Sequence, residues 1–419
     1  SKKIRPNAAQ KMTTCAELVC TNSLKSLKEE SAHGLLKREM KAFSSVVLEV
    51  GETCSVPAGD ALAVDREIFS QKITQRLQSH PQIEFVDRDI SSPLEVMKEY
   101  NANCSIVCTG PLTTDSLSNW IEEEVSTKDF HFYDAIAPVV EASSLDFTKL
   151  YWKDRHSSDP EKADYLNAPF TKEEYEVFIE GLRSAEKVPA KDFEDYIYFE
   201  SCLPIDVMAE RGVDTARFSC LKPIGLELED GKRPYAVAQL RKENLLGDAF
   251  NLVGMQTKLT YKEQLRVFRL IPGLEKAQFL HLGSVHRNSF LNSKELLSEN
   301  LSLKKHPNVF FAGQITGVEG YTESASMGLY AAFQVLCQLK EIPFIPFPVE
   351  SAMGALVNYI MTMERPAPSS INFGLLPSLD VKIKGKDKKK IKRKLISEKS
   401  MSSFDSFFQQ RCLDVLGKN

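Results

Sequence analysis

The chain has 419 residues, 42% of them hydrophobic and 26% charged, with a net charge of −4. At roughly 100–200 residues per domain, that length is too great for one simple core and fits about two to three domain-sized units of a soluble globular enzyme. No apolar run approaches the roughly 20 residues that span a bilayer, and the opening Ser1-Lys2-Lys3-Ile4-Arg5-Pro6 has no apolar segment behind it, so this stretch is not expected to be a signal peptide.

The charge is uneven. Between Val381 and Leu395 there are nine Lys or Arg residues and one Asp, so the rest of the chain is acidic. An acidic body with a basic tail often meets a polyanion at the tail. The nine cysteines are scattered and no paired CxxC elements suggest zinc, so no metal is expected; free thiols in a reducing, cytoplasmic setting are the default.

In chain order, Asp65 to His80 is predicted to be a helix, with Phe69, Ile73 and Leu77 four apart on one face. Ile83 to Val86 reads as a short strand. Ser105-Ile106-Val107-Cys108 reads as a second, buried one that stops at the turn Thr109-Gly110-Pro111. This alternation predicts an α/β layer with a parallel sheet over residues 1–111. From Leu112 to Ser289 strand-like pieces such as Arg233 to Leu240 and Pro-punctuated connections predict an inserted α+β domain.

The α/β pattern returns over residues 290–380. Asn308 to Gly313 is a buried strand running into glycine, Gln314 to Gly320 a loop, and Tyr321 to Leu339 a helix opening on small residues. Mixed helix follows Pro348, then the Asn372 to Leu376 loop. Residues 381–419 read as a basic tail and a short helix.

Several groups carry candidate chemistry. The strand–glycine–helix unit at Val309 to Gly328 sets backbone N–H groups at a helix N-terminus, a cradle for phosphate or a polar ring edge, or else a tight turn in an ordinary α/β domain. Cys20 and Cys202 are nucleophiles if a cation or a helix N-terminus makes them thiolates; the bland alternative is a small core residue. His286-Arg287-Asn288 has no metal spacing and reads as a hydrogen-bonding group. Lys388, Lys389, Lys390, Lys392 and Arg393 are the candidate RNA-phosphate contacts, against the alternative of a solvated face. No aromatic residue interleaves Lys382 to Lys394, so attraction there would be non-specific rather than base stacking.

Together these stretches resemble the folate- and FAD-dependent tRNA (uracil-5-)-methyltransferases, the TrmFO family. The matching segments are Ala16 to Leu24, Ser55 to Arg66, Thr109 to Thr113, Phe199 to Met208, Lys232 to Val237, His286 to Asn288, Gly313 to Gly328 and Asn372 to Leu376, in family order. The resemblance implies an α/β, Rossmann-like doubly wound FAD/NAD(P)-binding domain with an inserted α+β domain. It also implies transfer of a one-carbon unit from 5,10-methylenetetrahydrofolate to C5 of a uridine in the tRNA T-loop, with FAD supplying hydride and NADPH as electron source. Uracil C5 is a poor nucleophile until something adds to C6, so a covalent catalyst is needed. The matching nucleophile is Cys202 and the matching general base Cys20. Gly313, Gly317, Glu319 and Gly320 become flavin-side residues, and His286 and Arg287 candidates for the folate or flavin edge. The expected partners are tRNA and folate; no membrane and no DNA is expected.

Two departures stand out. Ala168 occupies a position where the family has a further cysteine. The match also starts only at Ile4-Arg5-Pro6, after the strand, GxGxxG loop and helix of the family's first βαβ unit, about 35 residues. The first strand of a doubly wound sheet is central, so its removal is expected to expose strand edges and apolar helix undersides. The expectation is a piece of a longer protein; the alternative is a decayed copy that holds flavin poorly. Three competing functions remain open: the same chemistry on ribosomal RNA, the related flavoprotein family acting on the tRNA wobble uridine, and a flavin-free RNA-binding relic.

Overall fold

A computed structural model describes residues 3–4, 10–110, 112–125, 130–155, 163–188, 203–364, 367–379 and 387–417; side chains are not described at 125, 130–135 and 285–289.

The chain opens with β1 (Ser23–Ser26), α1 (Ala32–Ala42), α2 (Val46–Thr53), β2 (Ser55–Val56), β3 (Ala61–Val64) and α3 (Arg66–Gln78). The α3 helix starts where the sequence signals it: the Asp65 carboxylate accepts the Ile68 N–H, satisfying a first-turn donor. Phe69 and Ile73 are buried on its inner face. Next come α4 (Pro93–Glu99), β4 (Ser105–Val107), α5 (Asp115–Val125) and β5 (Phe130–Ala135).

The middle of the chain folds as β6 (Val139–Glu141), β7 (Tyr151–Trp152), β8 (Tyr165–Phe170), α6 (Lys172–Ser184), α7 (Ile205–Arg211), α8 (Thr215–Phe218), β9 (Ala236–Lys242), β10 (Ala249–Leu252), α9 (Tyr261–Phe268) and β11 (Phe279–His281). A reciprocal capping box between Thr171 and Glu174 starts α6. The last part is β12 (Val285–Phe290), α10 (Ser293–Leu296), β13 (Val309–Phe311), α11 (Tyr321–Leu339), α12 (Ala352–Thr362), α13 (Lys388–Phe407) and α14 (Leu413–Leu416).

Two hydrophobic cores result. One gathers α1, α2, α3, α5, α11, α12 and the end of α13 around the parallel pair β4 and β13, with Phe311 opposite Val107. The other lies under a six-stranded antiparallel sheet, order β11-β6-β10-β9-β8-β7, covered by α6, α7 and α9. The three-stranded sheet β1-β3-β2 packs Leu24, Leu62 and Val64 into the first core, and β5 and β12 pair as a separate antiparallel ribbon.

Several expectations are corrected. Residues 83–86 form no strand: Ile83, Phe85 and Val86 are 41–48% exposed, and no described strand takes up their backbone groups. Of the strand at 105–108, only Val107 is buried and Ile106 is 37% exposed, because β4 is paired with β13 alone among the described strands. The strand expected from Arg233 begins at Ala236; Pro234 has no N–H to give a ladder. The basic run does not precede a short helix. From Lys388 onward it is the first half of the 20-residue α13, whose second half buries Phe404 against α1 and Phe43.

Candidate functional site

The loop carrying Cys20 is fixed by a tyrosine. The Tyr321 hydroxyl oxygen accepts the N–H of Val19 at 2.6 Å and of Cys20 at 2.9 Å, and lies 3.2 Å from the Cys20 sulfur. A phenol oxygen with both lone pairs engaged keeps only its own proton to give, and the sulfur is the acceptor in reach. Burial, and then the neighbouring Cys20 thiol, push the Tyr321 hydroxyl well above its ordinary value, so it stays a donor at neutral pH. Hydrogen bonding to a thiolate favours the charged form.

Behind this loop, Arg66 donates to the Leu18 and Val19 carbonyls at 3.0 and 2.8 Å and pairs with Glu243. Burial pushes the Glu243 carboxyl up, against the pull of Arg66 and Arg241. Arg241 donates to Thr21 at 2.9 Å, and the Asn22 amide donates to the carbonyls of Lys242 and Glu243 at 3.1 and 3.2 Å. Cys20 is therefore clasped between the first core and the β9–β10 hairpin of the second.

The glycine loop lies at the start of α11. Gly320, with φ 116°, is its N-cap, and a Cβ there would run into the Glu323 carboxylate. The N–H groups of Tyr321 and Thr322 belong to the first turn, where a helix has no intrahelical partner to offer, and no partner for either is seen among the described residues. Glu323 is fully buried, accepts from Thr322 at 2.9 Å and the Ile371 N–H at 3.2 Å, and faces Lys25 at 3.7 Å and His33 at 3.3 Å. Burial opposes its ionisation, but Lys25 and His33 outweigh it and hold the carboxyl at about 2. Lys25 sits at φ 63° in β1 and donates to Ser370 at 3.0 Å. Gly313 and Gly317 also have positive φ, 82° and 94°. Glu319 is buried and accepts from Gln314 at 2.6 Å.

Of the residues singled out in the sequence, Cys20, Gly320 and the start of α11 come together. Cys202 lies outside the described residues. The stretch just after it is pinned: the Ile205 N–H donates to Gln256 at 2.7 Å, and buried Asp206 accepts from Thr257 at 2.8 Å and the Lys258 N–H at 3.1 Å. His286 and Arg287 belong to β12, opposite Asp134 and Tyr133 of β5; their side chains lie outside the described set. Lys388, Lys389, Lys390, Lys392 and Arg393 are exposed on α13, and Arg393 lies over the Phe373 ring at 5.6 Å. No described contact joins them to the Cys20 loop. Tyr321, Arg66, Lys25, Arg241 and Glu243 were not singled out. The available signals were Arg66 closing the Ser55–Arg66 match and Tyr321 following Gly320.

The family model for glucose inhibited division protein A matches residues 6–343. The chain is 45% identical to a methylenetetrahydrofolate–tRNA-(uracil-5-)-methyltransferase TrmFO of Natranaerobius thermophilus over 98% of this chain and 93% of that protein. It is 46% identical to that of Aquifex aeolicus (98% and 90% covered) and 47% to that of Caldicellulosiruptor bescii (96% and 90%). Among solved structures, GidA of Aquifex aeolicus in two crystal forms superposes with TM-scores of 0.63 and 0.64 at 13% identity, covering 96% of this chain and 69% and 71% of theirs. That likeness establishes the Rossmann-like α/β fold.

Proposed function

The chain belongs to the TrmFO family of methylenetetrahydrofolate–tRNA-(uracil-5-)-methyltransferases, and from that premise we propose that it methylates C5 of a uridine in tRNA, in the cytoplasm, using methylenetetrahydrofolate, FAD and NADPH. The observation that carries the proposal within the chain itself is the Cys20 sulfur 3.2 Å from the Tyr321 hydroxyl oxygen, whose proton has no other described acceptor in reach. A thiolate held this way can take the proton from C5 of a uracil. Cys202 is the nucleophile of this proposal, forming the bond to C6 that makes C5 reactive.

The residues present fit a flavin. Positive-φ glycines clear the approach, the first-turn N–H groups of α11 are open, and Lys25 adds a cation. Gly313, Gly317, Glu319, Gly320 and the start of α11 would hold it, with His286 and Arg287 toward the folate. When bound, a reduced flavin supplies the hydride that completes the methyl group. The Lys-rich start of α13 would add phosphate contacts through Lys388, Lys389, Lys390, Lys392 and Arg393. In this reading residues 112–289 form a domain inserted into the cofactor domain, with α5 packed on the cofactor-domain core through Leu117 and Ile121.

The test is transfer of labelled carbon from methylenetetrahydrofolate to an unmodified tRNA transcript in the presence of FAD and NADPH, read as 5-methyluridine by mass spectrometry. Label in tRNA supports the reading. Label only in ribosomal RNA moves the substrate, and retained flavin with no label in either RNA overturns the reading.

A further inference from the structure

We propose that Lys11 and His281 together seat a phosphodiester oxygen of the RNA that enters the Cys20 loop. The proposal rests on the RNA-methyltransferase reading above and adds a binding site to it.

Lys11 and His281 are 270 residues apart in the chain, yet the Lys11 ammonium lies 2.9 Å from Nδ1 of His281. Lys11 is held in place by its backbone. Its N–H and that of Met12 donate to the Glu17 carboxylate at 2.7 and 3.1 Å, and Glu17 lies in the same segment as Cys20. His281 is an exposed residue of β11, the edge strand of the six-stranded sheet, so a large molecule can reach it. Arg66, which fixes the Leu18 and Val19 carbonyls, lies close enough to act on the same imidazole.

The charges at this spot are unusual. No described carboxylate pairs with the Lys11 ammonium; its described partner is a neutral ring nitrogen. Burial, then Lys11, then Arg66 lower the His281 ring below its ordinary value. The Arg66 Nη2 is also buried without a partner. An oxyanion at this point would accept from Lys11, from a protonated His281, or from both. Lysine serves phosphate as a point charge, and a uridine within an RNA strand carries phosphodiesters on both sides.

The test measures binding of an unmodified tRNA transcript to the whole chain across a salt series, together with equilibrium dialysis of tetrahydrofolate. Lys11→Met is expected to weaken tRNA binding about three- to tenfold at low salt and to lower the log–log salt slope by about one, with Lys11→Arg keeping the slope. His281→Phe should weaken binding in the same direction, with melting unchanged in each variant. Unchanged tRNA affinity and slope in Lys11→Met overturn the proposal. Loss of tetrahydrofolate binding with intact tRNA binding overturns it as well, and gives the pair to a folate carboxylate. If the unaltered chain binds no tRNA while still retaining tetrahydrofolate, the RNA reading itself fails and this site falls with it.

Discussion

The Tyr321 hydroxyl binds two consecutive backbone N–H groups, those of Val19 and Cys20, and faces the Cys20 sulfur at 3.2 Å. One side chain from the start of a helix thus fixes both the position of the loop and the hydrogen bonding of its thiol. Tyr321→Phe removes the proton donor and leaves the ring in place. A hydrogen bond to a charged group contributes about 1.5–3 kcal/mol, so the Cys20 thiol should rise by about one to two pH units. Iodoacetamide alkylation followed from neutral to alkaline pH reads this; an unshifted profile would show that the tyrosine does not tune the thiol.

Arg66 and Glu243 form an ion pair with side chains only 17% and 13% exposed. Arg66→Met leaves Glu243 charged in a poorly solvated place and frees the Leu18 and Val19 carbonyls. A loss of about 3–5 kcal/mol in unfolding free energy is expected. Adding Glu243→Gln should recover part of it, because the unpaired charge is gone. A double variant as unstable as the single one would locate the cost elsewhere.

Glu39 is fully buried on α1 and accepts the N–H groups of Ala352 and Met353 at the start of α12, at 2.6 and 2.8 Å. Burial outweighs these bonds and raises its carboxyl to about 8. Between the ordinary value of 4.5 and about 8 the folded chain keeps a proton that the unfolded chain has released. Stability therefore falls as pH rises through this window and changes no further with Glu39 above it. Glu323 acts in the opposite sense: held at about 2, it contributes stability above 4.5 that is lost as the pH falls toward 2. Glu39→Gln should flatten the denaturant midpoint over the upper window only; a slope that persists unchanged would reject this assignment.

The exposed start of α13 offers a test of the basic run. Replacing Lys388, Lys389 and Lys390 by Ala leaves Ile396, Phe404 and Phe408 to dock the helix. Melting should stay within a few degrees, while the log–log salt slope for tRNA binding falls by about 0.9 for each lost phosphate contact. An unchanged slope would make the run a solvated face.

Much of the frame was legible locally. Asp65 before an apolar 3.6-residue period marks α3 because a side-chain cap and a buried stripe are both short-range properties. Tyr321–Leu339 is legible for the same reason: glycine ends the loop and the periodic residues run on without a break. The stretch at 83–86 was misread because a strand needs a neighbour, and an apolar run does not say whether one is present. The absence of aromatic residues from the basic run was true of the sequence, yet Phe373 lies beneath Arg393, brought there from another segment.

By itself, then, the sequence determined α3, α11, the glycine loop at Gly313 to Gly320 and the family, all readable within short windows of chain, and it pointed to the cysteine at position 20. Only the tertiary structure decided what acts on that cysteine. Tyr321 lies 301 residues away from it, Arg241 and the Glu243 carbonyl reach the same loop from the second domain, and His281 meets Lys11 just ahead of it. Hydrogen bonds and ion pairs act over a few ångströms of space whatever the separation along the chain, so a sequence period shows which face a residue takes but not which residue it will face.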